Sequence, residues 1–315
     1  MKINILMSTY NGERFLAEQM QSIQRQTVQD WTLLVRDDGS TDKTLAIIQA
    51  FAKNDPRIRL INADVQENLG VIQSFYTLLT YEKADIYFFS DQDDVWLDNK
   101  LELTLAEAQK HKVNEPLLVY TDLKVVNQDL EVCHESMIQT QSHHANTQLV
   151  QELTENTVTG GTMMINHALA KQWLSCEHVV MHDWYLALIA AAQGELVYLD
   201  VATELYRQHD ANVLGARTWS KRLKQWRKPH KLIEKYWWLI VSSQHQARQL
   251  LDLQLKPADR RLIEAYVGLL DKPFYQRLSD FKAYGFRKNR AFHTLVFMAL
   301  IMTKFGYRRK EQWNY

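Results

Sequence analysis

The chain has 315 residues, 46% of them hydrophobic and 23% charged, which supports a large packed core and excludes a disordered or fibrous class. Its formal net charge of zero hides a split: residues 217–315 hold 22 Lys and Arg against 7 Asp and Glu, a net +15, so residues 1–216 carry −15 and the two regions suit different partners. Two cysteines, Cys133 and Cys176, exclude a disulfide framework and a thiolate metal site and point to a reducing cytoplasm. Residues 1–8 lack the apolar stretch of a signal peptide, and no apolar run reaches the ~18 residues of a membrane span.

Ile3 to Met7 reads as a first strand, followed by the loop Ser8-Thr9-Tyr10-Asn11-Gly12. Glu13 to Gln26 repeats apolar residues at helical spacing through Phe15, Leu16, Met20 and Ile23. Trp31 to Val35 is a second strand, ended by Arg36-Asp37-Asp38-Gly39-Ser40-Thr41-Asp42, with a helix to Phe51 behind it. Ile58 to Ile61 is a third strand, Asn68-Leu69-Gly70 a loop, and Val71 to Leu79 a helix. Ile86 to Phe89 is a fourth, buried strand that runs into Asp91-Gln92-Asp93-Asp94-Val95-Trp96. This alternation predicts a mostly parallel α/β sheet with helices on both faces, and in such sheets ligands bind beyond the carboxyl ends of the strands, where these loops converge.

Further along, Leu117 to Tyr120 is a strand, and the polar stretch from Cys133 to Glu155 reads as an irregular loop over the site. Thr159-Gly160-Gly161-Thr162 is a turn entering a strand, its glycines allowing close backbone approach. His182-Asp183-Trp184-Tyr185 opens a helix through Ala192. Leu196 to Leu199 and a segment before Tyr206-Arg207-Gln208-His209-Asp210-Ala211-Asn212 are strands. The character changes at Gly215, which predicts a body over 1–215 and a basic helical region over 216–315, with helices in Trp219–Trp226, Leu232–Val241, Ala258–Leu270, Phe274–Tyr284 and Arg290–Lys304.

Three carboxylates within four residues at a strand's end repel one another and lose hydration, so a cation is expected beside them. Mg²⁺ or Mn²⁺ suits carboxylate oxygens and shares its shell with phosphates, with Asp91, Asp93 and Asp94 as candidate ligands. An acidic turn capping the next helix is the other reading. One of the adjacent Asp37 and Asp38 could accept a hydrogen bond from a pyrimidine N–H, while Tyr10 is placed to stack on a base. Asp42 or Thr41 is read as a helix cap. Asp183, at a helix start, is either a cap favoured by the dipole or a general base for an acceptor hydroxyl. Trp184 is core packing or a platform for an acceptor sugar. His209 is the best histidine ligand candidate, and Arg207 could neutralise a leaving diphosphate. In the tail, Trp219, Trp226, Trp237 and Trp238 beside Lys and Arg favour an anionic membrane face, against a core helix, a dimer surface or a nucleic-acid site.

The ordered set Ser8-Thr9-Tyr10-Asn11-Gly12, Asp37-Asp38-Gly39-Ser40-x-Asp42, Asn68-Leu69-Gly70 and Asp91-Gln92-Asp93-Asp94, each after a strand, resembles the family 2 inverting glycosyltransferases of GT-A fold. The later Thr159-Gly160-Gly161-Thr162, His182-Asp183-Trp184-Tyr185 and Tyr206-Arg207-Gln208-His209-x-x-Asn212 are similar to the rhamnosyltransferase branch. The basic tail through Tyr307-Arg308-Arg309 resembles that of enzymes building streptococcal-type rhamnose cell-wall polysaccharides. That resemblance implies a cytoplasmic enzyme at the inner face of the membrane, with possible self-association and no nucleic-acid partner. It implies transfer of L-rhamnose from dTDP-L-rhamnose to a polyprenyl-pyrophosphate-linked glycan, the alternative being a hexose or N-acetylhexosamine from a UDP-sugar. A non-catalytic nucleotide-sugar-binding protein is the remaining alternative. Nucleotide contacts then fall on Ser8, Tyr10, Asn11, Asp38, Asn68 and Asp91, and the metal on Asp91, Asp93, Asp94 and His209. Arg207 meets the diphosphate, Asp183 is the base, and Gly160, Gly161, His182 and Trp184 meet the acceptor. Many relatives have a carboxylate where this chain has His182.

Overall fold

A computed structural model describes residues 1–65, 67–209 and 229–307. The predicted boundary near Gly215, the Asp210–Asn212 motif residues, the Trp219–Trp226 helix with its Lys221–Lys228 run, and Arg308-Arg309-Lys310 lie outside them.

The sheet begins with β1 (Ile3–Thr9), β2 (Thr32–Asp37), β3 (Ile58–Leu60) and β4 (Ile86–Ser90), each followed by a polar loop, as predicted. β1 pairs in parallel with β2 and β4, and β2 with β3. β5 (Val95–Trp96), β6 (Leu117–Val126), β7 (Val132–His134), β8 (Met163–Asn166) and β9 (Glu195–Arg207) complete the order β3-β2-β1-β4-β8-β6-β9-β5, with β7 on β6. Here the prediction of a mostly parallel sheet is corrected. β8 runs antiparallel to both β4 and β6, and β5 to β9, so the sheet is mixed. Apolar runs such as 117–120 and 163–165 identify buried strands but say nothing of their direction.

Alternation along β1 sends Ile5 and Met7 to one face and Leu6 to the other. On the first face pack α1 (Leu16–Gln24), α2 (Thr44–Asn54) and α4 (Lys100–Ala108), through Met20, Ile48 and Leu101. On the second pack α3 (Val71–Tyr81), α5 (Leu149–Thr154), α6 (His167–Ala170) and α7 (His182–Gln193). The basic region supplies α8 (Pro229–Gln249), α9 (Pro257–Val267), α10 (Phe274–Tyr284) and α11 (Ala291–Thr303). Trp237, Tyr266, Phe281 and Phe297 join α7 in one continuous core, so these helices are packed on the sheet body.

Two further expectations change. The stretch 133–155 is ordered: Asp122 accepts the backbone N–H groups of Met137 and Ile138 at 3.1 and 3.2 Å, and α5 follows. The two short strands around 196–206 are one long β9, with register shifts against β6 at Asp122. No described helix is long and apolar enough to cross a membrane.

Candidate active site

The loops after β1, β2 and β4 are tied to one another by side chains reaching backbone. Asn11 takes a left-handed conformation at φ 47°. Its N–H donates to Ser40 Oγ at 2.8 Å, and its Oδ1 accepts the Thr41 N–H at 2.8 Å. Ser8 lies at the end of β1 and Tyr10, half exposed, just past it. Gln92 clasps Tyr10 with both ends of its amide, accepting from the N–H and donating to the carbonyl, each at 2.9 Å. A Cβ on Gly12 would stand 2.3 Å from Gln92 Oε1 and would push the clasping amide aside.

Asp38 is buried. Its carboxylate accepts from Arg36 at 2.5 Å, the Leu69 and Gly70 N–H groups at 2.7 and 2.9 Å, and Ser74 Oγ at 3.0 Å. Burial alone would raise its pKa, but these four donors outweigh it and hold the group below the ordinary value. Asp38 therefore anchors the 68–70 turn, and at most one lone pair on Oδ2 remains for a base N–H. Asn68 is exposed, with its backbone close to Gly39.

The acidic loop divides into parts with different surroundings. Asp94 is sealed: Oδ1 accepts the Arg207 N–H at 2.9 Å, and Oδ2 is buried without a partner. Its Oδ2 has no protein donor, so the ligand role read for Asp94 stands as a proposal beside those of Asp91 and Asp93. Asp93 Oδ2 lies 2.7 Å from His209 Nε2, whose ring packs on Phe15. Asp91 has its pKa pushed up to about 8, first by burial and then by repulsion from Asp93, Glu204 and Asp183, with Lys100 opposing. Among the described residues no three His, Cys, Asp or Glu side chains converge as a ready-made metal cage. The donor set of hard oxygens and one imidazole, with Asp91 repelled by three carboxylates against one lysine, nevertheless fits a divalent cation.

Arg207 is also corrected. Its side chain is 2% exposed. Nε donates to the Asp93 carbonyl at 3.0 Å, one terminal nitrogen to the Gln128 carbonyl at 2.6 Å, and the other to Glu18 at 2.5 Å. A guanidinium spent this way clamps β9 to the acidic loop and α1, and has no face turned to a diphosphate.

Across from the acidic loop, Asp183 begins α7 and is 7% exposed. Oδ1 accepts the Trp184 N–H at 2.6 Å, and the nearby Gly160 N–H and Asn156 amide also favour the charged carboxylate. Burial pushes its pKa up to about 6 against these donors. A carboxylate with that poise, close enough to Asp91 to repel it, is suited to take a proton near neutrality.

The acceptor-side candidates separate. Gly160 and Gly161 are steric necessities: a Cβ would lie 2.9 Å from His182 Nε2 in the first case and 2.5 Å from Glu204 Oε1 in the second. His182 is stacked on Phe75 at 4.4 Å and on Phe89 at 5.6 Å. Burial lowers its pKa to about 3, so it is a neutral core ring. Trp184 is buried, its Nε1–H donating to the Glu152 carbonyl at 2.7 Å. The direct acceptor contacts read for His182 and Trp184 are corrected: both belong to the packing that fixes Asp183.

Sequence reasoning missed the cation beneath the site. Lys100 Nζ, fully buried, donates to Glu204 at 2.6 Å and to the Gly161 carbonyl at 2.5 Å, and lies 4.4 Å from the Trp96 ring centre. It joins the floor below Asp91 and Asp94 to the 160–161 turn. Asn156 was missed as well, because an asparagine in a polar loop looks solvated.

Residues 4–174 match the model of Glycosyl transferase family 2. The chain is 30% identical over 226 residues to the dTDP-rhamnosyl transferase RfbG of Shigella flexneri, covering 67% of this chain and 74% of that protein. It is 30% identical over 125 residues to the UDP-Glc:alpha-D-GlcNAc-diphosphoundecaprenol beta-1,3-glucosyltransferase WfgD of Escherichia coli, covering 40% of this chain and 47% of that one. The fold is shared with Staphylococcus aureus TarS 1–349 in complex with UDP-GlcNAc, with a TM-score of 0.58 at 18% identity, covering 90% of this chain and 80% of that one. Four loops at the carboxyl ends of strands, an acidic cluster facing a buried carboxylate at a helix start, and a family match over more than half the chain have one reading: this is a glycosyltransferase of family 2.

Proposed function

We propose that the chain moves one hexosyl unit from a pyrimidine nucleoside diphosphate sugar to a hydroxyl of a lipid-linked glycan, by single displacement with inversion. The observation that carries this is Asp183, buried at the start of α7 with the Trp184 N–H on its carboxylate, and raised to a pKa of about 6 across from the acidic loop. It takes the acceptor's proton as the new oxygen–C1 bond forms and the C1–phosphate oxygen bond breaks on the opposite face. The proton ends on Asp183 and the electron pair on the departing nucleoside diphosphate. Asp91, Asp93, Asp94 and His209 would hold a divalent cation such as Mg²⁺ or Mn²⁺, which when bound supplies charge neutralisation for the diphosphate.

The base-side contacts serve uracil and thymine alike. A UDP-hexose or UDP-N-acetylhexosamine is the first reading, in line with the donor in the name of the E. coli relative. The Shigella relative, matched over 226 residues, favours dTDP-L-rhamnose as the second. A panel of labelled UDP-sugars and dTDP-rhamnose, with and without lipid-linked acceptor, names the donor. Asp183→Asn should cut transfer by roughly 10²- to 10⁴-fold while leaving donor affinity nearly intact. Normal transfer by that variant would remove Asp183 from the reaction.

A further inference from the structure

The helix α11 is apolar on both sides. Phe297, Leu300 and Ile301 are buried against α8 and α10. The outward face carries Phe292 at 58% and Leu295 at 61% exposure, with Met298 beside them and Ala291 and Ala299 between. Phe305, at 66% exposure, continues it past the helix end. No charge interrupts this stripe. Around it the sequence is one-signed: Phe281 to Lys310 contains eight Lys and Arg and no Asp or Glu. Of the described cations, Lys282 and Arg287 are exposed and Lys304 half-exposed.

We infer that this face of α11 seats the enzyme on an anionic phospholipid bilayer, lying in the interface. An uncharged apolar stripe flanked by cations gains from acyl burial and from phosphate charge together. Thirteen residues make about 20 Å of helix, too short to span and long enough to lie flat. A second copy of the chain is a poorer occupant, because a two-fold contact would bring two strongly basic segments together. Trp237, a membrane-facing candidate on sequence, is instead buried, donating to the Phe305 carbonyl at 2.9 Å and so fixing the end of α11.

The same helix is wired to the reaction centre at its other end. The Asn289 N–H donates to Glu155 at 2.9 Å, Thr154 Oγ1 donates to the Arg287 carbonyl at 2.6 Å, and Lys288 Nζ donates to the Thr154 carbonyl. The next residue, Asn156, opens the short stretch to Gly160 that lies beside Asp183. The bilayer contact thus lies one short loop from the base. This deepens the lipid-linked acceptor reading above, yet vesicle binding needs no turnover, so either can fail without the other.

The test is co-sedimentation of the full chain with vesicles of phosphatidylglycerol and phosphatidylcholine, and with phosphatidylcholine alone. The wild type should pellet with the anionic vesicles and much less with the neutral ones. Leu295→Glu/Met298→Glu should lose binding by roughly tenfold or more. Its thermal melt should be unchanged, since both side chains are exposed. Wild-type protein left in the supernatant, or a double variant that binds as well as wild type, would overturn the proposal. So would a wild-type dimer in light scattering that the double variant dissociates, since a second copy would then cover the face.

Discussion

The donor-side loops and the acceptor-side turn are held in place by opposite means. The first are knitted by hydrogen bonds between loops: Asn11 to Ser40 and Thr41, Asp38 to Leu69 and Gly70, Gln92 to Tyr10. The second is set by exclusion and burial, with glycines admitting His182 and Glu204 and an ion pair sealed below. A polar knit distributes its energy over many weak links, so single losses there should be mild and felt in donor binding. A buried pair concentrates it, so a single loss should be felt in the whole fold.

Lys100 is the sharpest way to break that contrast. Both its side chain and that of Glu204 are fully buried, and Glu204 Oε1 already has no partner. Lys100→Met should leave the carboxylate stranded and cost about 3–5 kcal/mol of stability in denaturant titration. Lys100→Met/Glu204→Leu should be less damaging than Lys100→Met alone, because the stranded charge goes with its partner. Equal melting of wild type and the single variant would show that the pair is not buried as described.

The acid limb of the reaction tests the acceptor side next. Asp183 must be ionised to accept a proton, so the rate should fall as pH drops through about 6. Asn156 lies near that carboxylate and weakly favours its charged form. Asn156→Ala should therefore raise the pKa of Asp183 slightly and move the limb to higher pH. A merely structural Asn156 would lower the rate without moving the limb, and that outcome would detach it from the base.

The contrast also explains what could be read from the chain alone. Polar residues at strand ends stand out against apolar runs, so the loops after the first four strands, the helix start at His182-Asp183 and the α-helices of the described tail were legible. Strand direction was not, since β4, β6 and β8 are apolar on both faces and period two is blind to polarity. Arg207, His182 and Trp184 misled because their chemistry suggests contact with a ligand, whereas packing turned each inward. Lys100 escaped notice because its partner Glu204 is 104 residues away, and a lone lysine near a helix start reads as solvated.

The mildest break is on the donor side. Gln92 makes two neutral hydrogen bonds to Tyr10 at a partly exposed site. Each such bond is worth about 1 kcal/mol net, and water can replace part of it. Gln92→Ala should release Tyr10 from its clasp and raise the donor KM roughly fivefold, with kcat and the thermal melt nearly unchanged. A Cβ at Gly12 would push the Gln92 amide aside, so Gly12→Ala should mimic Gln92→Ala in raising KM, and the double variant should add little. If instead Gln92→Ala lowered kcat and left KM alone, the loop it holds would belong to the reacting centre, and the division between a knitted donor side and a packed acceptor side would fail at its first loop.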